Sequence, residues 1–241
     1  MKLDFYRNLC YNAFDQKSLS FSTVQVLLAK LDKVLYVVFR ATDCEADWKT
    51  HFLECSLGMV RVTTVNDRRV KVHQGWASDF YGSLTYLKMA MDKIISQGDV
   101  DSVCFVGHSY GGASASAAAL EMADGLKSTG YGVSLVTFNA PLMGNWAFVH
   151  NLHERVPNAK HFIYGADVIS SLPPWFLGYR HYKNTVHVKK HSWGYVLKNT
   201  WTVGWECIKA FILHKEFDYF LFVYAMDHML ALFDGEMEVD A

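Results

Sequence analysis

The chain reads as an α/β protein with a mostly parallel central sheet flanked by helices on both faces. Two local observations predict this. Short apolar, β-branched runs alternate with longer segments of helical spacing from residue 76 onward. The stretch "VCFVGHSYGGASASAAAL", residues 103–120, passes from such a run through a glycine-flanked serine into an alanine-dense helix former. The third observation is one of bulk. A length of 241 residues, 51 % hydrophobic and 20 % charged, supports a sizeable core and excludes disorder. Residues 1–241 are therefore expected to form one domain.

Val24 to Leu31 and Val34 to Phe39 read as strands joined by a turn at Asp32-Lys33. Arg61 to Val65 and Val70 to Val72 read as a second hairpin around "NDRR". From Trp76 to Ile95, the apolar residues Phe80, Leu84, Leu87, Met91 and Ile94/Ile95 recur at helical spacing. Val103 to Val106 is a short buried strand, and Ala113 to Met122 is helical. Val133 to Phe138 and His161 to Tyr164 are strands, with a helix from Trp146 to Arg155 between them. "TVHV", which contains His187, is a further strand. No internal repeat or low-complexity linker interrupts this order.

Composition narrows the partners. A net charge of −1 with no long basic run argues against nucleic acid. The most apolar candidate for a membrane span, Phe211 to Tyr224, is broken by His214, Lys215, Glu216 and Asp218, so no transmembrane segment is expected. "MKLDFYRNLCYNAFDQ" carries charge throughout and has no apolar leader core. That pattern fits either a cytoplasmic chain or one exported without a conventional leader. Five cysteines, at 10, 44, 55, 104 and 207, are scattered and odd in number, which suits free thiols better than a disulfide framework. An aromatic content of 15 % with seven Trp is enough for a core and for a large apolar pocket.

Strand, Gly107-His108-Ser109-Tyr110-Gly111 and helix match a nucleophile elbow, in which a strained turn presents a serine. In a parallel sheet the chemistry gathers at the carboxyl ends of the strands. The segments at those ends are "VVFRATDCEADW", "TFNAPLMGN" and "YGADVISSLPP". Asp167, in the last of them, stands where the acid of such a site belongs. A base must follow it, and His181, His187, His191, His214 and His228 are the candidates. His187 lies in a strand. His187 with His191 has metal-ligand spacing, but neither a carboxylate nor a Cys cluster accompanies the pair. His181 and His228 remain.

At this point six motifs in order resemble the lipase class 3 family, of the fungal triacylglycerol lipase type with an α/β-hydrolase fold. "VVFRATDCEADW" is similar to F-R-G-[TS]-x₄-[DN]-W, and "VHQGW" to V-H-x-G-F. "GHSYGGASASAAAL" resembles G-H-S-L-G-G-A-L-A, and "TFNAPLMGN" resembles T-F-G-x-P-R-V-G-N. "DVISSLPP" resembles D-x-V-P-x-L-P-P, and "MDHML" resembles the D-H near the family's end. The matches span Val38 to His228.

The resemblance implies Ser109 as nucleophile, Asp167 as acid and His228 as base. It implies an oxyanion hole built by Thr42, with the N–H of Tyr110 as its partner. His181 matches a family histidine near the substrate mouth that is not the base. Cys44 to Phe52 matches the family's lid, with Trp48, Phe52 and Leu53 on its apolar face. The function implied is a serine carboxylic ester hydrolase of the lipase or phospholipase A type, working through an acyl-enzyme. Its substrate would be a lipid or other ester, met at a membrane or micelle surface, and it would need no cofactor and no metal. An acyltransferase or thioesterase with the same triad is the alternative, and a catalytically silent hydrolase-fold binding protein is another. The chain departs from the family pattern at Ala41 for glycine, Tyr110 for leucine, Leu142-Met143 for Arg-Val and Ala231 for tyrosine. Tyr110 is expected to narrow or polarise the acyl entrance.

Overall fold

The computed structural model describes residues 3–15, 19–21, 24–40, 58–62, 65–165, 167 and 169–188. The strands, in chain order, are β1 (Leu19–Phe21), β2 (Val24–Leu31), β3 (Val34–Phe39), β4 (Met59–Arg61), β5 (Lys71–His73), β6 (Ser102–His108), β7 (Gly132–Phe138), β8 (Ala159–Tyr164) and β9 (Thr185–Val188). The α-helices are α1 (Leu3–Asp15), α2 (Gln74–Ile95), α3 (Tyr110–Ser128) and α4 (Trp146–Arg155). The main sheet has the order β1-β2-β3-β6-β7-β8-β9. β1, β2 and β3 pair antiparallel, while every neighbouring pair from β3 to β9 is parallel.

The β2–β3 hairpin closes on Asp32 and Lys33, with φ of 46° and 63°. Two successive positive φ values give a turn whose twist matches the strands it joins. Along β6 every residue from Val103 to His108 is buried, as expected of a central parallel strand covered on both faces. Val37, Phe39, Val103, Phe105 and Leu135 point to one face, where they meet Trp76, Phe80, Leu87 and Met91 of α2 with Leu120, Phe148 and Leu152 of α3 and α4. Val38, Cys104, Val106, Val136 and Phe138 point to the other face and meet Leu9, Cys10 and Ala13 of α1. The period of two in the strands thus separates two cores.

α3 sits against β3, β6 and β7. Its run of alanines, Ala113 to Ala119 broken only by Ser114 and Ser116, is wholly buried. Short side chains let its axis approach the sheet closely, which places its first turn at the carboxyl end of β6. The second hairpin is displaced from expectation: its first strand starts two residues earlier, at Met59, and its second runs one residue later, Lys71–His73. Met59, Val60 and Arg61 pair with His73, Val72 and Lys71. Past Arg61, Val62 N–H donates to Val70 O at 3.1 Å. Asp67 then bends the chain by accepting from Arg69 N–H at 3.0 Å. Val62 and Val65 are buried as their type demands, but as loop residues of the core.

A buried polar cluster lies between α4 and the sheet edge. Thr137 Oγ1 and His161 Nδ1 share a hydrogen bond at 2.7 Å. The His161 ring stacks on Tyr182 at 4.0 Å, and His153 of α4 lies 5.3 Å from it. Burial pushes the His153 imidazole down to about 4, and Lys183 adds to the effect. His161 is lowered well below the ordinary value by burial first and by His153 second. Both rings are therefore neutral in the fold and take up protons on unfolding. Their stability is fully present above the unfolded value near 6.5 and falls as pH drops below it. His153 alone should remove about 1.5 kcal/mol between pH 6.5 and pH 5. Denaturant titrations at both pH values should show this loss, and His153→Leu should reduce it by that amount. An unchanged difference in the variant would assign the acid loss to other groups.

Candidate active site

The parallel register aligns the carboxyl ends of β3, β6, β7 and β8: Phe39 lies beside Gly107, His108 beside Phe138, and Phe138 beside Phe162. Residues that follow these ends share one edge of the sheet. Ser109 is the single residue between β6 and α3, with φ 55° and ψ −133° and only 2 % exposed. A side chain held at positive φ outside the usual wells costs about 1–3 kcal/mol, which the surrounding structure must hold in place. The hold is visible in the backbone. Ser109 N–H donates to Phe138 O at 3.0 Å, and Ser109 O accepts from Gly112 at 2.8 Å and Ala113 at 3.3 Å. The Ser109 hydroxyl makes no capping bond to the helix it precedes.

Tyr110 is the first residue of α3. Amides of a first helical turn have no partner within the helix and carry the positive end of its dipole, so its N–H is suited to a developing negative charge. Tyr110 is buried and meets Trp76 edge-on at 6.3 Å, so its ring is part of the core that supports the elbow. Trp76 is in turn stacked on His73 at 4.2 Å. His73, fully buried, caps α2 by accepting from Trp76 N–H at 3.4 Å.

Asp167 is buried and stands three residues past β8. Oδ1 accepts from Ile169 N–H at 3.0 Å, and Oδ2 accepts from Ser170 N–H at 3.3 Å. Ser170 Oγ donates back to Asp167 O at 2.8 Å. The carboxylate is thus fixed by the one-turn helix Ile169–Ser171 that it opens. Asn139, which the sequence reading passed over, fixes the strand ends between Ser109 and Asp167. It has φ 46°, its N–H donates to Phe162 O at 2.8 Å, and its Oδ1 accepts from Tyr164 N–H at 2.7 Å. Asparagine tolerates this left-handed conformation better than most residues, and that was the available signal in "TFNAP".

At the end of β3, Arg40 N–H donates to Gln25 O at 3.0 Å, and its guanidinium donates to Gln25 Oε1. That anchors the last residue before Ala41 and Thr42. Thr42, Trp48, Phe52 and the rest of the lid segment, together with His191 and His228, lie outside the described residues. His181 is exposed on the connection into β9, and no hydrogen bond joins it to Ser109 or Asp167. Its pKa is lowered by partial desolvation first and by His187 second. His187 is exposed in β9. Among the described residues no group of three or more His, Cys, Asp or Glu is placed to hold a metal ion. Cys104 is core, as expected, and burial pushes its thiol up to about 11. Cys10 is raised as well, by burial and by Cys104. Neither thiol is a nucleophile at neutral pH.

A parallel sheet with helices on both faces and a serine elbow at its carboxyl edge define an α/β hydrolase. Residues 36–177, more than half of the chain, match the lipase (class 3) family, and the chain belongs to it. It is 28 % identical over 110 residues to secreted mono- and diacylglycerol lipase 1 of Fusarium solani, a match covering 46 % of this chain and 32 % of that protein. The chain thus spans about a third of that curated relative. The fold is similar to that of Rhizomucor miehei triacylglyceride lipase, with a TM-score of 0.66 at 20 % identity over 77 % of this chain and 78 % of the other. It is also similar to a triacylglycerol lipase whose catalytic centre is a serine-protease triad, with a TM-score of 0.65 at 21 % identity over 78 % of each chain. Among the described residues, no helix is long and apolar enough to cross a membrane.

Proposed function

We propose that this chain hydrolyses carboxylic esters of lipids through Ser109, Asp167 and His228. The carrying observation is Ser109 itself: a buried residue held at φ 55° at the start of α3, with its hydroxyl not spent on capping. A glycine would make the same turn without the strain, and the cost of a serine there fits a side chain kept for chemistry.

In this reading His228 takes the Ser109 proton as Oγ attacks the ester carbonyl carbon. Asp167 fixes the imidazole tautomer and stabilises its cation. The tetrahedral oxyanion is held by Thr42 and by the Tyr110 N–H. Its collapse breaks the ester C–O bond, and His228 returns the proton to the departing alcohol. Water then attacks the acyl-enzyme, giving up a proton to His228, which passes it to Ser109 Oγ as the acyl C–O bond breaks and the fatty acid leaves. Support for a glycerolipid substrate comes from the Fusarium relative, which is named for mono- and diacylglycerols. Its description as secreted favours export of this chain over residence in the cytoplasm.

The test is product analysis on a panel of mono-, di- and triacylglycerols and phospholipids, beside a Ser109→Ala control. Free fatty acid from at least one glycerolipid, absent in the control, is the expected result. Labelling of Ser109 by a fluorophosphonate without release of fatty acid from any lipid would move the reading to acyl transfer or a thioester. Absence of labelling would leave a binding protein.

A further inference from the structure

The segment after Asp167 ends in a tip that the catalytic reading does not use. Trp175, Phe176 and Leu177 form a single 3-10 turn and are 67 %, 70 % and 41 % exposed. Their exposure is built by the backbone. Leu177 N–H donates to Pro174 O and Gly178 N–H to Trp175 O, each at 3.0 Å, and Gly178 closes the turn at φ 95°. Arg180 Nη1 donates to Trp175 O at 3.0 Å and to Tyr179 O at 2.8 Å. Two large aromatic rings are thus held in water by a braced turn, where a loose loop could have folded them inward.

The surroundings say what would cover them. From Ile169 to Val188 the chain carries Arg180, Lys183, His181 and His187 and not one Asp or Glu. Lys71, exposed, borders the same region, since its carbonyl accepts from Asn145 N–H at 3.0 Å and Asn145 bridges to Tyr179. Asp67 on the adjoining loop is already held by Arg69, at 2.9 Å. An aromatic tip on a segment whose formal charges are the cations Arg180 and Lys183 suits a polar–apolar boundary of negative charge. Three side chains are far too few for a protein interface, which needs about 800 Å² from each partner. The tip also sits on the reacting edge. Leu142 N–H donates to Leu172 O at 2.7 Å, which ties the segment between Asp167 and the tip to the loop after β7.

We propose that Trp175, Phe176 and Leu177 insert into an anionic lipid surface, with Arg180 and Lys183 engaging its headgroups, and so dock the carboxyl edge of the sheet onto that surface. The proposal rests on the lipid-hydrolase reading only for its purpose. Binding is measured without turnover, so the two can fail separately.

The experiment is co-sedimentation of the full chain, as Ser109→Ala, with vesicles of phosphatidylcholine alone or with phosphatidylglycerol added. The parent should bind the anionic vesicles more tightly. The double variant Trp175→Ser with Phe176→Ser should lower partitioning on the order of 100-fold, since each ring carries a large apolar area into the boundary. Lys183→Gln should lower it about fivefold on anionic vesicles and leave neutral ones unaffected. Met89→Ser, which removes an equally exposed side chain on α2, should change nothing. Thermal midpoints should match across the set, because all these side chains are exposed. Vesicle binding that survives the double variant overturns the proposal. So does a dimer abolished by the double variant in a chain that ignores vesicles, since the tip would then cover a second copy.

Discussion

Ser109→Ala should lower ester turnover by roughly 10⁴- to 10⁶-fold while leaving the unfolding free energy within about 0.5 kcal/mol of the parent. The two halves of this expectation have separate causes. Activity falls because members of a triad act as one unit, and the residue that remains acts only through binding and the oxyanion hole. Stability holds because the hydroxyl makes no capping bond and alanine suffers the same positive φ as serine. Ser109→Gly separates the terms further. It should be as inactive but more stable by about 1 kcal/mol, since glycine alone is at ease at φ 55°. His228→Ala should be comparably inactive, and His181→Ala mild, because His181 makes no hydrogen bond to Ser109 or Asp167. Initial rates on a dispersed glycerolipid, with denaturant midpoints on the same preparations, decide all four. A Ser109→Ala chain that keeps a tenth of the parent's rate would remove Ser109 as nucleophile. A dead His181→Ala beside an active His228→Ala would exchange the base.

What could be read beforehand follows from which forces are local. β2, β3 and α4 were legible to the residue. In each, side-chain period, turn chemistry and capping agree: Asp32-Lys33 turns the hairpin, and Asn145 caps α4 by accepting from Phe148 N–H at 3.0 Å. α1 was passed over. Its buried side are Leu9, Cys10 and Ala13, spaced for one helical face but interrupted by Arg7, and charge in that stretch masked the period. Arg7 is itself buried, with Asp4 one turn back at 3.0 Å. The direction of the Tyr110 ring leaves no local pattern in the sequence. Only the three-dimensional position of Trp76, thirty-four residues earlier, shows the direction the ring takes. Asn139 acts through backbone groups of β8, and a contact between strand ends distant in sequence leaves no local pattern. The expectations for Thr42, the lid and His228 rest on motif resemblance.

Gly111→Ala and Gly107→Ala should be the most destabilising glycine-to-alanine changes among the described residues. A Cβ at Gly111 would stand 2.3 Å from Phe39 O and 2.7 Å from Arg40 O; at Gly107 it would stand 2.2 Å from Gly111 O. Every one of these neighbours is backbone, so no side chain can swing away. Relief requires α3 to lift from β6 or the end of β3 to retreat, and either breaks ladder or helix bonds in the centre of the sheet. Losses above about 4 kcal/mol belong to this kind of enforced backbone shift. Gly125→Ala is the control. It lies exposed in the same helix with nothing within 4 Å of the added carbon, so it should stabilise by about 0.5–1 kcal/mol through reduced freedom of the unfolded chain. Denaturant midpoints for the three variants test the ordering, and a Gly111→Ala chain within about 0.5 kcal/mol of the parent would mean that the elbow is looser than its contacts. The consequence reaches past stability. Gly111 is where α3, which carries the Tyr110 N–H, touches the strand that leads into Thr42. Any Gly111→Ala protein that still folds should therefore lose rate through a widened oxyanion hole, with fluorophosphonate labelling of Ser109 slowed in step.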